Sequence, residues 1–302
     1  MIALKKSTIA LIFINIFLII LLVVAQCTKI QKKDKDTRLI RLAPKALIER
    51  SEKIILRAPK RLPYLLELAI VKKNGIYMLE KGKYSYYLKD GIITRFFSAL
   101  NQEIRSDSIG GSPYDYPSYG LDDENAFNIR FISSEGEILL DLYLGSSNAT
   151  EQMRYIRRGG SSTAILSIED VASPFLSVES SFWIDMQPLR AKLKKDKITS
   201  LSFREENVIR GKDSDDKFVD VEKALSSLTM IDTFDSLALE GDRTESFSFT
   251  LDQGGTFSIY MSPLDNGDYV FFDNIKSQPY ILSAYSKQRL VKTLIQALEQ
   301  DE

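Results

Sequence analysis

The chain has no histidine, and its one cysteine, Cys27, stands at the end of a hydrophobic run near the amino terminus. Each absence removes a class of chemistry. Most hydrolases that work near neutral pH by general base catalysis use a histidine, and most protein zinc sites need His or Cys. Ser-His-Asp triads, thiol nucleophiles, iron–sulfur clusters and structural zinc are therefore excluded for everything beyond Cys27. Carboxylate, lysine, tyrosine and serine–lysine chemistry survive, with oxygen-only sites for Ca²⁺ or Mg²⁺. No intrachain disulfide can form, so the fold has to rest on its core. An excess of one charge is also lacking. Forty basic residues stand against forty-one acidic ones, so no long-range field recruits nucleic acid, and no nucleic-acid partner is expected.

What is present is an ordinary globular composition. Hydrophobic residues make up 44% and charged residues 27% of 302, enough for about two domains with real cores.

The long apolar run spans Ile9 to Ala25, broken only by Asn15 and preceded by Lys5 and Lys6. As a helix it reaches about 25 Å, near the lower limit for crossing a bilayer core. The sequence Val24-Ala25-Gln26-Cys27 lacks a small residue just before the cysteine, which disfavours cleavage there. Residues 1–27 are accordingly expected to form an uncleaved, single-pass signal anchor in the cytoplasmic (inner) membrane. A lipoprotein with lipid on Cys27 is the alternative. Counting positive charges alone, Lys29, Lys32, Lys33, Lys35, Arg38 and Arg41 outweigh Lys5 and Lys6 and favour a cytoplasmic body. A short basic leading segment normally stays inside while later charges are pulled across, and an extracytoplasmic body is the expectation adopted.

Residues 28–53 read as a polar juxtamembrane stalk. Beyond it the chain reads as α+β, in two tandem similar units over 54–185 and 196–302. Each has the order β-β-α-β-β-β-β-α, an antiparallel meander with packed helices. In the first unit, residues 66–71 and 76–79 flank a Lys-Asn-Gly turn as a hairpin. Asp90 is expected to cap a helix carrying Ile92, Ile93, Phe96, Phe97 and Leu100. Strands follow at 127–133, 138–144, 153–158 and 163–167, with short helical turns opening at Ser167 and Ser173-Pro174. The second unit has strands at 198–203, 208–210, 247–251, 256–261, 269–272 and 280–283. Its helices carry Val221, Ala224, Leu225 and Leu228, then Leu290, Val291, Leu294 and Leu298.

The most unusual stretch is the loop from Gly110 to Asp123, which sets Tyr114, Tyr116 and Tyr119 on a Gly/Pro scaffold. These tyrosines are the candidate partner-binding residues, because Tyr offers large contact area at low entropic cost. Loop aromatics more often serve packing, so the competing reading is a connector that covers a sheet. Other motifs fail their spacing tests. Asp213, Asp215 and Asp216 suggest a calcium loop, but Phe218 stands where glycine is required and no Glu follows at the twelfth position. Gly75 to Lys83 lacks the glycine spacing and the Ser or Thr of a phosphate loop. Lys192 to Lys197 is a short basic run between the halves and reads as an exposed linker. Asn148-Ala149-Thr150 is a glycosylation sequon, meaningful only in a eukaryotic secretory pathway. No catalytic residue, cofactor or metal site is expected.

Several short segments together carry a family likeness. Ile76-Tyr77-Met78-Leu79 precedes an amphipathic helix. Tyr119-Gly120-Leu121-Asp122-Asp123 follows, then Leu140–Leu144 ending in Gly145, Met153-Arg154-Tyr155-Ile156 and Phe182-Trp183-Ile184-Asp185. The whole resembles the bacterial domain of unknown function 4340 family over most of residues 54–230. The resemblance implies one N-terminal membrane segment, an extracytoplasmic body and association with ABC-type transport systems of the kind linked to gliding motility. It carries no active site across. The expected function is a non-enzymatic, membrane-anchored accessory protein whose partner is an ABC-type permease or its companion subunit. An extracytoplasmic ligand-binding module is the alternative, and a carboxylate-based hydrolase ranks last.

Overall fold

Alternation of apolar and polar side chains along short segments builds two antiparallel sheets. The structure, a computed structural model, describes residues 37–60, 67–148, 152–160, 163–211, 214–234, 245–274 and 278–299. The expected anchor at 9–25 and Cys27 lie outside the described residues. Among the described residues no helix is long and apolar enough to cross a membrane.

The first sheet contains β1 (Thr37–Ile40), β2 (Ser51–Arg57), β3 (Glu67–Lys73), β4 (Ile76–Lys81), β5 (Tyr84–Tyr87), β6 (Ile104–Gly110), β7 (Phe127–Ser133), β8 (Ile138–Asn148), β9 (Met153–Arg158) and β10 (Ile165–Glu169). Their order across the sheet is β1-β6-β10-β9-β8-β7-β2-β3-β4-β5. The second sheet contains β11 (Ile198–Phe203), β12 (Glu206–Ile209), β13 (Asp232–Thr233), β14 (Glu245–Leu251), β15 (Thr256–Pro263), β16 (Tyr269–Asp273) and β17 (Pro279–Leu282). Its order is β12-β11-β14-β15-β16-β17-β13. The helices are α1 (Lys45–Arg50), α2 (Ile92–Asn101), α3 (Ser180–Trp183), α4 (Arg190–Leu193), α5 (Asp215–Ser226) and α6 (Ala284–Leu298), with 3-10 turns at Pro113–Tyr119 and Ser173–Phe175.

The two orders correspond strand for strand. The series β6-β10-β9-β8-β7-β2-β3 has the same connectivity as β13-β17-β16-β15-β14-β11-β12, with α2 and α5 at equivalent points in the chain. One register shift corresponds too, whereas those at β7–β8, β8–β9 and β10–β6 have no counterpart among the described residues of the second sheet. Pairing shifts register between Ser51 and Lys53 where β2 meets β7, and between Ile198 and Ser200 where β11 meets β14. The β7–β8 turn is closed by Ser133 N–H to Glu137 O (2.9 Å) and Gly136 N–H to Ser133 O (3.1 Å). The β14–β15 turn is closed by Leu251 N–H to Gly255 O and Gly254 N–H to Leu251 O, both 3.1 Å. Gly136 and Gly254 share positive φ, 84° and 82°, the backbone state such turns require and glycine adopts without penalty.

Three strands of the first sheet have no counterpart in the second: β1, β4 and β5. The hairpin expected at 66–79 is present as β3–β4, with Asn74 and Gly75 at φ 52° and 80°, but the pair equivalent to β11–β12 is β2–β3. Residues 37–53, expected as stalk, are part of the body. Thr37–Ile40 pairs with β6, and Leu42 and Ala43 are fully buried. Their apolar residues fill the end of the sheet, and Ala43 N–H bonds Leu100 O at 2.9 Å. Asp90 does not cap α2, because Gly91 takes the cap position in the left-handed region with no side-chain cap bond. Ser167 opens no helical turn. It lies inside β10, opposite Asp107 on one side and Tyr155 on the other.

One apolar cluster runs through both halves, from Phe96, Phe131 and Trp183 to Phe218, Phe249, Phe257 and Leu294. The β4–β5 hairpin laps onto the β13–β17 end of the second sheet. Gln278 Nε2 donates to Ser85 O (2.7 Å), Lys81 Nζ reaches Asp232 Oδ1 (3.2 Å), and Leu88 bridges to Ile184.

Candidate functional site

The connection from β6 to β7 folds against the face of the first sheet that α2 leaves uncovered. Pro113 supplies the fixed φ favoured at a helix start, and Ser112 Oγ accepts from Tyr114 N–H at 3.3 Å. Gly120, at φ 65°, ends the 3-10 turn, and Leu121 N–H returns to Tyr116 O at 2.8 Å. The turn lies so close to β8 that a Cβ on Gly145 would fall on the Tyr119 carbonyl oxygen and the Leu121 side chain. Asp122 then closes the loop on itself. Burial opposes its charge, but hydrogen bonds from Asn125 Nδ2 and from the backbone N–H groups of Glu124 and Asn125 outweigh that and hold its carboxyl below the ordinary range.

Arg157 of β9 locks this turn down. Its guanidinium lies 3.4 Å above the Tyr143 ring and 4.7 Å from the Tyr116 ring, a cation–π sandwich. Its Nε donates to Leu121 O at 2.7 Å, and its Nη2 reaches Asp123 Oδ1 at 3.2 Å. Tyr119 packs edge-on against Tyr155, centroids 4.7 Å apart. Beneath them, Arg130 grips Asp141 through two 3.2 Å bonds, and Asn128 Nδ2 adds a third at 2.8 Å. The bond to Asp141 raises the pKa of Arg130 against the opposing effect of burial. On the far side, Arg154 joins Asp170 (2.9 Å), Ser173 Oγ (2.9 Å) and Gly145 O (2.5 Å).

The three tyrosines therefore differ. Tyr116 and Tyr119 are half-buried and spent on packing, whereas Tyr114 is 93% exposed. The turn is a rigid platform with one aromatic side chain held out in solvent. Sequence reasoning found the tyrosines but missed Arg157 and Gly145. Gly145 closes the Leu140–Leu144 segment of the family likeness, and its close approach to Tyr119 O is the reason glycine stands there. An open cleft of about 870 Å³ lies on the same face, lined by Arg105, Asp107, Ser167, Glu169 and neighbouring polar groups.

The remaining motifs have structural places. Asp215 and Asp216 sit in the first turn of α5, and Asp215 pairs with Arg210 at 2.6 Å; Asp213 lies outside the described residues. Lys192 pairs with Asp196. Asn148 ends β8, while Ala149 and Thr150 lie outside the described residues. Gly75 to Lys83 is a hairpin strand and its turns. Among the described residues no three His, Cys, Asp or Glu side chains are placed to hold a metal.

The fold is an antiparallel α+β body built of two like-connected sheets. Residues 81–261 match the family described as Domain of unknown function (DUF4340), and the chain belongs to that family. The match begins at the end of β4 and ends inside β15, so the family's defining region takes in parts of both sheets. The chain is also similar to an uncharacterized protein of Treponema pallidum (strain Nichols), 24% identical over 224 residues, covering 74% of this chain and 69% of that protein. No solved structure matches.

Proposed function

We propose that the chain is a non-enzymatic, membrane-tethered accessory protein that works by contact outside the cytoplasm, beside an ABC-type transport system. The tether is the apolar run Ile9–Ala25 behind Lys5 and Lys6. Anchoring confines the body to a thin layer at the bilayer and raises its effective concentration toward other membrane proteins. The shared strand order supports reading the body as tandem copies of one α+β unit. The observation that carries the contact reading is Tyr114, 93% exposed on a turn that Arg157 and Gly145 hold rigid. A pre-ordered aromatic loses little entropy on docking, and interface energy concentrates in such side chains.

The test is affinity purification of the full chain from detergent-solubilised native membranes, wild type against Tyr114→Ala. Recovery of a permease or its companion subunit should fall roughly tenfold or more in the variant, with the fold and membrane location unchanged. Equal recovery would remove the platform as the contact. Absence of any membrane partner from the wild-type sample would remove the accessory reading itself.

A further inference from the structure

A second cleft, of about 680 Å³, opens where the two halves meet, between the β4–β5 hairpin, the start of α2 and the region of α3, α4 and β17. Its lining includes Tyr77, Tyr87, Tyr280, Asp90, Asp185 and Ile93. Two of the phenols are committed elsewhere. Tyr77 donates to Ser51 O at 2.9 Å, and Tyr280 donates to Gln278 Oε1 at 3.1 Å. Tyr280 is also buried, at 2% exposure with its ring edge-on to Tyr86, so the ring surface open to a ligand is that of Tyr77 and Tyr87. Tyr87 is 46% exposed at the mouth, beside Ile76 at 54%.

The cleft lining carries two carboxylates against one lysine. Neither Asp90 nor Asp185 forms an ion pair with a described residue; Asp185 Oδ1 accepts from Gln187 N–H at 2.9 Å. The basic residue in the wall, Lys89, turns its Nζ to Ser181 O at 2.7 Å. Lys72 stands 5.9 Å from the Tyr77 ring, but it is paired with Glu52 at 3.1 Å. Aromatic rings and an excess of carboxylate over ammonium in one concave site are the chemistry that recognises an ammonium ion. The volume is that of a small-molecule site, and its place between two packed units is where such sites form.

We infer that this cleft binds a small organic cation. Its primary or quaternary ammonium head lies between the Asp90 and Asp185 carboxylates and the tyrosine rings, and its short apolar body rests on Ile93 and its neighbours. The assignment is independent of the tether and of the Tyr114 platform.

The experiment titrates the full chain in lipid nanodiscs with choline and with butylammonium, read by ligand-observed NMR and calorimetry. The neutral isostere of choline, 3,3-dimethylbutan-1-ol, is the control. Saturable binding of at least one cation is expected, with the isostere at least tenfold weaker. Asp185→Asn should weaken the cation tenfold or more, as should Asp90→Asn at an exposed position where folding is not at stake. Tyr87→Ala should weaken it, and Tyr87→Phe should not, because the ring face is what acts. The inference is overturned if neither cation saturates at tens of millimolar, or if the isostere binds as well as choline. Unchanged affinity in both asparagine variants overturns it equally.

Discussion

The hydroxyl of Tyr86, on the last strand of the first sheet, donates to the carbonyl oxygen of Phe234 at 2.7 Å, just beyond the edge strand of the second. The same hydroxyl lies 2.6 Å from Pro279 O, and the Tyr86 ring meets Tyr280 edge-on at 5.5 Å. All of this is buried, so the two sheets share one polar junction inside a common core. Tyr86→Phe keeps the ring and takes the donor from Phe234 O, while Pro279 O keeps the Phe234 N–H at 3.2 Å. An unsatisfied buried group costs about 1–3 kcal/mol. The urea midpoint of the body should fall by the equivalent amount, read on Trp183 fluorescence. An unchanged midpoint would mean that the junction contributes nothing to stability.

Close packing of the platform makes a second expectation. Gly145→Ala drives a methyl group into the Tyr119 carbonyl, which is backbone and cannot swing aside. Overpacking of this kind costs about 1–3 kcal/mol, and here it must also lift the 113–119 turn off the sheet. Amide exchange at residues 114–121 should accelerate well beyond any change in the core strands. If exchange rises uniformly, or not at all, the turn is not held by this contact.

Some of this architecture was legible in the sequence. Strands at 127–133, 153–158 and 198–203 fall where alternation put them, because each buries one face and the side-chain period is two. β6 was missed for the converse reason. Its sequence Ile-Arg-Ser-Asp-Ser-Ile-Gly turns Ser106 into the protein at 3% exposure, so burial there leaves no hydrophobic trace. β1 and β2 were hidden by the charges flanking them, although β2 lies in the interior of the sheet order. The tyrosines of the platform could be seen as composition. The residue that fixes them could not, since Arg157 is 36 positions from its partner Leu121 and reaches it only through sheet pairing.

The Tyr280 phenol gives the fold a defined alkaline limit. Burial pushes its pKa well above the ordinary tyrosine value, and the nearby charges of Asp273 and Asp185 push it further in the same direction. A pKa raised in the folded state means that the fold favours the protonated phenol. The contribution is complete below the pKa of the unfolded chain, about 10, and is lost as pH rises from there toward the folded value. Above that threshold the unfolded chain releases a proton that the folded chain retains, so stability falls with pH. Tyr280→Phe removes the titrating group together with its 3.1 Å bond to Gln278. The variant should start less stable at neutral pH by a pH-independent amount and then show a shallower decline on the alkaline side. Urea midpoints of both proteins, compared at neutral pH and just above the tyrosine range, give the two slopes. Parallel slopes would place the Tyr280 hydroxyl in contact with solvent and contradict its burial at the junction.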